Sequence, residues 1–249
     1  MLGTGRSGTV IAMPRKLGLL TRYERGQHEA AWAELRRRKL DATARDEVAA
    51  LAAVTMRRVA HNVELLVARF AKAGWKALSG KLHTPPGAAD HRAVKEIEKI
   101  TGAPLPPSLS AFFTIVGGVD LVWDYERGDV PDLAMGIAIE DLDPLSVDPA
   151  RRTTSLFDEW AEGEGPPFAL DLAPDALHKG NISGGAPYGV TLPSLDADPR
   201  FGNDEMSMPF IDYLRLACRW GGFPGLARQP ARPPVKAFVS RMTEGFEPF

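Results

Sequence analysis

One cysteine, Cys218, stands in the whole chain of 249 residues. It excludes an internal disulfide and any cysteine-based zinc cluster, and it fits a reducing compartment. No run approaches the roughly 18 consecutive apolar residues of a membrane-spanning helix. The apolar stretch Thr9–Met13 behind Arg6 is too short for the core of a signal peptide. A soluble, cytoplasmic protein without membrane contact is the expectation. Residues 1–12 read as a disordered leader, with Met13 as an alternative start.

Catalytic signatures are scarce as well. The five histidines, His28, His61, His83, His91 and His178, form no H-x-H or H-E-x-x-H pattern. His28-Glu29 is followed by Trp32 where a zinc-binding helix needs its second histidine. There is no G-x-S-x-G and no G-x-x-x-x-G-K-[ST]. Gly3–Gly8, GTGRSG, matches G-x-G-x-x-G, but no strand precedes it and Pro14 breaks the apolar run after it, so a dinucleotide site lacks its context. His61 and Glu64 lie three apart but have no further ligands in view, and a solvated helix face is the better reading. Asp141 and Asp143, or Asp196, Asp198 and Asp204, offer oxygens to a hard cation without EF-hand spacing. They read as solvated acidic loops. No catalytic residue, metal or cofactor is expected.

What is abundant is turn chemistry and segregated charge. Glycine (24) and proline (21) make 45 of 249 residues, about 18% against an average near 12%. The net charge of −2 hides a division. Residues 1–82 hold 16 Lys/Arg against 7 Asp/Glu, a net of +9. Residues 119–205 hold 5 against 19, a net of −14. Such polarity bears on partners.

A helix is expected over residues 22–40, ending in Arg36-Arg37-Arg38-Lys39, whose cations suit a last turn. Nucleic-acid contact by this run is the less favoured reading, since no aromatics interleave it. Thr43-x-x-Asp46 resembles a capping box. The long helix after it should run to about Ala73-Gly74, burying Val48, Ala52, Met56, Val59, Val63, Leu66 and Phe70 at near-heptad spacing. Pro85-Pro86-Gly87 marks a linker over residues 83–89. It would divide an N-terminal helical region (1–82) from a second domain (90–226), and a proline-rich tail (227–249) should lie over the surface.

The second domain opens with the most structured signal in the chain. Val94, Ile97 and Ile100 recur at helical spacing, and Gly102 sits where a left-handed glycine would close that helix. Pro104, Pro106 and Pro107 make a stiff corner. Leu109, Phe112, Phe113 and Val116 form one apolar stripe, Gly117-Gly118 ends it, and a strand should start over Val119–Tyr125. Further strands are expected over Leu133–Ile139, Phe168–Leu172 and Tyr188–Leu192, with a turn at Asn181–Gly185. A short helix is expected over Thr154–Glu162. A last helix carrying Phe210, Tyr213, Leu214 and Ala217 should be capped by Ser207 and stopped by Gly221-Gly222.

This order of elements resembles the SMI1/KNR4 (SUKH) superfamily over roughly residues 90–226. Ile97–Gly102, Leu105-Pro106, Leu109, Phe112, Phe113, Gly117-Gly118 and the Phe210–Leu214 helix carry the resemblance. The acidic or amide residue usual before the double glycine is absent, and Ile115-Val116 stands there. The resemblance implies an α+β fold, an antiparallel sheet packed on helices, with no known enzymatic activity. It implies, for bacterial members, immunity proteins that neutralise cognate toxins, many of them nucleases.

The sequence thus points to a non-enzymatic protein-binding module whose acidic part meets a basic partner, such as a secreted toxin domain. Asp120, Trp123, Asp124, Tyr125, Glu126, Asp158 and Trp160 are the candidate partner-binding residues, the aromatics as anchors. Charge reversal at Asp124 or Glu126 should spare the fold and weaken binding. The competing readings are that the acidic half docks on the chain's own basic half, or that a ligand or substrate pocket lies between the helical and α+β parts.

Overall fold

The computed structural model describes residues 18–38, 42–127, 133, 135–153, 167–230 and 232–249. Gly3–Gly8, the helix expected over Thr154–Glu162, and the candidate residues Asp158 and Trp160 lie outside these residues.

A long helix, α3 (Ala42–Lys72), is the element on which the others pack. Its seam from Val48 to Phe70 is buried throughout, as the spacing predicts, and Gly74 ends it at φ 78°. It begins at Ala42, so Thr43 lies inside its first turn instead of capping it. The single helix expected over residues 22–40 is two, α1 (Leu19–Glu24) and α2 (His28–Leu35). Gly26, at φ 90°, breaks them apart. The turn lets α2 double back on α3, where Trp32 Nε1 donates to Thr55 Oγ1 at 3.1 Å and that hydroxyl donates to Leu51 O at 2.9 Å.

The proline corner joins α4 (Ala88–Thr101) to α5 (Pro107–Ala111). Gly102 closes α4 at φ 66° and Pro107 opens α5 at its first position. The Leu105 amide, left free by the corner, donates to Glu98 Oε1 at 3.0 Å. A π-helical turn, Phe112–Val116, continues α5. Leu105, Pro106, Leu109, Phe112 and Phe113 are buried, and α5 with its π turn packs directly on α3. The double glycine has a steric cause. Gly117 has φ +88°, and a Cβ there would stand 2.2 Å from Thr84 O; a Cβ on Gly118 would stand 2.6 Å from Pro149 Cδ.

Those contacts arise because residues 83–89 do not form a free linker. His83–Thr84 is strand β1, paired antiparallel with β2 (Gly118–Asp120), which pairs with β3 (Ser146–Val147). A second antiparallel sheet runs β4 (Phe168–Ala173), β5 (Tyr188–Leu192), β6 (Arg200–Gly202) and β7 (Ser207–Pro209) in sequence order. Phe168 lies opposite Leu192 and Phe201 opposite Met208. A short helix, α6 (Ala176–Lys179), and the Asn181–Gly185 turn connect β4 to β5. The architecture is α+β with a helical N-terminal region.

Four further expectations need correction. The strand over Val119–Tyr125 stops at Asp120. Asp120 Oδ1 accepts from Val122 N and Oδ2 from Ser79 N, which turns the chain, and Leu121, Val122 and Trp123 are all buried instead of alternating. No strand forms over residues 135–139 either. Gly136 has φ 62°, and Ile139–Asp141 is a 3-10 turn. Ser207 lies in β7; α7 (Phe210–Arg219) is capped by Asp198, whose Oδ1 accepts from Ile211 N at 2.9 Å. The tail is not a surface strap of prolines. Its Pro233–Thr243 segment is α8, entered through proline as its fixed φ allows, with Val235, Phe238 and Met242 buried. One buried cluster runs from Leu19 to Phe249 through α3, the corner and both sheets.

Candidate functional site

The five candidate partner-binding residues that are described, Asp120, Trp123, Asp124, Tyr125 and Glu126, do not form one exposed surface. Trp123 is 3% exposed and stands edge-on to Trp75 at 5.2 Å between ring centres. It is a core residue, because Trp75 Nε1 is anchored to Leu121 O and Ala77 bridges Trp123. Asp124 is buried and occupied internally: it accepts from Glu126 N and from Arg127 Nε, the latter at 2.7 Å. Charge reversal there therefore attacks the fold, against the sequence expectation. Asp120 serves the turn described above. Tyr125 and Glu126 are what remains, one half-buried and one exposed.

Those two lie beside a surface that no motif announces. Tyr125 Oη donates to Lys179 O at 3.3 Å. Burial, then the Glu140 charge, pushes the Tyr125 phenol up. A Cβ on Gly180 would meet Glu140 Cα at 2.9 Å, so α6 sits directly against the Ile139–Asp141 turn. From α6 and the turn after it, Leu177 (40% exposed) and Ile182 (46%) project together, tied by Ile182 N to Leu177 O at 2.9 Å. On the segments that pack against α6 through Tyr125 and Glu140, the side chains of Glu126, Glu140 and Asp141 are exposed and make no ion pair with any described residue. The surface is a pair of aliphatic side chains and a tyrosine beside three carboxylates that have no ion-pair partner among the described residues.

Two polar devices support it from within the fold. Asp175 caps α6, accepting from His178 N at 3.0 Å and from Gly185 N at 2.9 Å, and it contacts the His178 ring. Burial opposes the Asp175 charge, but these donors outweigh it and hold the carboxyl below its usual range. Beneath, Lys179 is fully buried and its Nζ meets Asp143 Oδ1 at 2.8 Å. The ammonium lies 4.6 Å from the Tyr188 ring centre and 5.9 Å from that of Tyr213. Burial pulls the lysine down and Asp143 pulls it back. Asp143 itself has φ 45°, a left-handed conformation that Asp tolerates better than most residues. Reading Asp143 and Asp198 as solvated loop acids was thus mistaken. Asp198 is buried too, its Oδ2 accepting from Arg36 Nε at 2.8 Å, while Arg36 Nη1 meets Asp212 at 2.7 Å.

Arg36 is also the point where the basic and acidic halves meet. Among the described residues, no other cation of residues 1–82 pairs with an acid of 119–205. Asp124, Asp143 and Asp148 pair with Arg127, Lys179 and Arg152 of their own segment. The docking of one half on the other is mainly apolar, and it leaves Glu126, Glu140 and Asp141 unspent.

A pocket between the helical and α+β parts does exist, as two neighbouring cavities of about 440 and 420 Å³ sharing Glu29, Arg215 and Arg219. Its charges are mixed and largely paired, Arg36 and Arg215 both with Asp212. Burial pushes the Cys218 thiol, which lines it, up to about 12, the wrong direction for a nucleophilic thiolate. Among the described residues no group of three His, Cys, Asp or Glu could hold a metal ion, and no helix is long and apolar enough to cross a membrane. No family model, curated protein or solved structure matches the chain.

Proposed function

We propose that this chain is a non-enzymatic protein-binding module of the SMI1/KNR4 kind, an immunity-type cytoplasmic protein that neutralises a cognate toxin domain. The observation that carries the reading is the surface of Leu177, Ile182 and Tyr125 beside Glu126, Glu140 and Asp141, which have no ion-pair partner among the described residues. Exposed aliphatic side chains supply a desolvated centre, and free carboxylates around them favour a basic partner and speed its approach. A nuclease domain, whose active cleft attracts phosphate, has the complementary charge. The site thus shifts from Trp123 and Asp124 to the neighbouring α6 turn.

The test uses the purified product of the neighbouring gene, titrated calorimetrically against the wild-type chain and Glu126→Lys/Glu140→Lys/Asp141→Lys. Wild type should bind and should weaken as salt rises from about 50 to about 300 mM. The triple variant should bind at least about tenfold more weakly with an unchanged melting temperature, since only exposed charges are altered. Binding indifferent to salt and to the three reversals, or no binding at low salt, would sink the reading.

A further inference from the structure

Residues 244–249 are held in an unusual way. They follow α8 with no regular secondary structure, yet side chains from two other helices bond their backbone. Asn62 of α3, itself buried, donates through Nδ2 to Glu247 O at 2.9 Å and accepts at Oδ1 from Glu247 N at 2.8 Å. Arg69 donates to Met242 O at 2.6 Å and to Glu244 O at 2.5 Å. Arg58 donates to Pro248 O and Arg215 of α7 to Phe249 O, each at 2.7 Å. Arg58, Asn62 and Arg69 stand at i, i+4 and i+11, one stripe of α3. Phe246 is half-buried beneath the Arg69 guanidinium, and Phe249 is buried.

An amide that satisfies both the N–H and the C=O of one residue acts as a strand edge would, and such backbone bonding tolerates many sequences. Selectivity falls to the sockets, here for aromatic side chains three residues apart. A buried asparagine in mid-helix is a poor helix former, and here the oxygen and the nitrogen of its amide are both spent on one residue of the segment. The resident segment also leaves a cavity of about 440 Å³ beside it, walled by Asn62, Arg215, Cys218 and Arg219.

We propose that the groove between α3 and α7 is a recognition site for an extended segment of a partner protein carrying aromatic residues three apart, with Glu244–Phe249 as its occupant in cis. The cis segment is tethered at an effective concentration in the millimolar range, so a partner gains access by displacing it. This site shares no residue with the acidic surface and stands independently of it.

The probe is a fluorescein-labelled peptide with the sequence of residues 243–249, titrated into full-length protein and read by anisotropy. Phe246→Ala/Phe249→Ala weakens the cis segment and should bind the peptide at least tenfold more tightly than wild type. Adding Asn62→Ala should cost at least tenfold again. No saturable binding to the double variant, its circular dichroism matching wild type, overturns the proposal, as does binding indifferent to Asn62. Hydrogen exchange on wild type covers a variant that fails to fold. Excess peptide should speed exchange at the Glu247 amide at least tenfold and leave Val63 unchanged, and an unchanged Glu247 rate overturns the proposal. A concentration-dependent wild-type dimer lost on Phe249→Ala would assign the groove to a second copy and overturn the partner assignment.

Discussion

Lys179→Met should be among the most damaging single changes near the α6 surface, and pairing it with Asp143→Asn should repair much of the damage. Nζ and Oδ1 are 2.8 Å apart, both side chains almost wholly out of water. At an effective dielectric of about 20 their attraction is about 6 kcal/mol. Desolvation costs several kcal/mol for each ion, so the intact pair nets close to zero. Removing one partner leaves the other buried and uncompensated, which costs about 3–5 kcal/mol. Methionine fills the lysine's volume beside the Tyr188 ring, so lost packing adds little. Asparagine accepts the φ of 45° at position 143 that a branched residue would resist. Urea unfolding of both single variants and the double variant measures the cycle. The double variant should lie within about 2 kcal/mol of wild type, a coupling far above the few tenths expected of independent sites. A cost below about 1 kcal/mol for Lys179→Met, or simple additivity, would refute the reasoning.

Gly117→Ala should destabilise by about 3 kcal/mol, combining the strain of a backbone (φ 88°, ψ −136°) that is nearly confined to glycine with overpacking, because its Cβ would stand 2.2 Å from Thr84 O. Gly102→Ala, in the milder left-handed helical conformation (φ 66°, ψ 13°) and with open space around it, should cost about 1 kcal/mol; equal losses in thermal melts would deny the steric and backbone account of the double glycine. Asp198→Asn leaves Arg36 with Asp212 alone and weakens the cap of α7, so a loss of about 3 kcal/mol is expected by urea unfolding. Stability should fall as pH rises above about 9. Burial holds the Cys218 thiol up to about 12 and raises Tyr23, Tyr188 and Tyr213. The unfolded chain therefore gives up protons that the folded chain keeps, and the stabilisation present below about pH 9 is lost towards about pH 12. Lys179, lowered by burial, pulls the other way. The difference between wild type and Cys218→Ala isolates the thiol, whose share of the slope approaches about 1.4 kcal/mol per pH unit; identical slopes between about pH 8 and 10 would contradict it.

Local chemistry settled several elements without help from the rest of the chain. The seam of α3 follows from apolar spacing over several turns. Gly102 and Pro107 bound the corner because only a left-handed glycine ends α4 there and only a first-turn proline can enter α5. The β4 and β5 strands follow from their alternation. Each of these depends on residues a few positions apart, so the pattern is complete within the segment.

What the tertiary structure decided is which polar groups are spent. Asp143 and Asp198 read like the acids around them, but partners 36 and 162 residues away remove them from the surface. Nothing local to Asp198 points to Arg36. Trp123 reads as an anchor, but Trp75 packs edge-on against it in the core, and the tail reads as surface, but Asn62 bonds its backbone. The same holds for the α6 surface. Leu177 and Ile182 carry no motif, and they become a candidate site because folding brings Glu140 beside Gly180 and leaves its carboxylate unpaired. Periodicity tells which side chains must leave water. Whether a charge can follow them depends on the opposite charge that the fold delivers, a property of two distant segments at once.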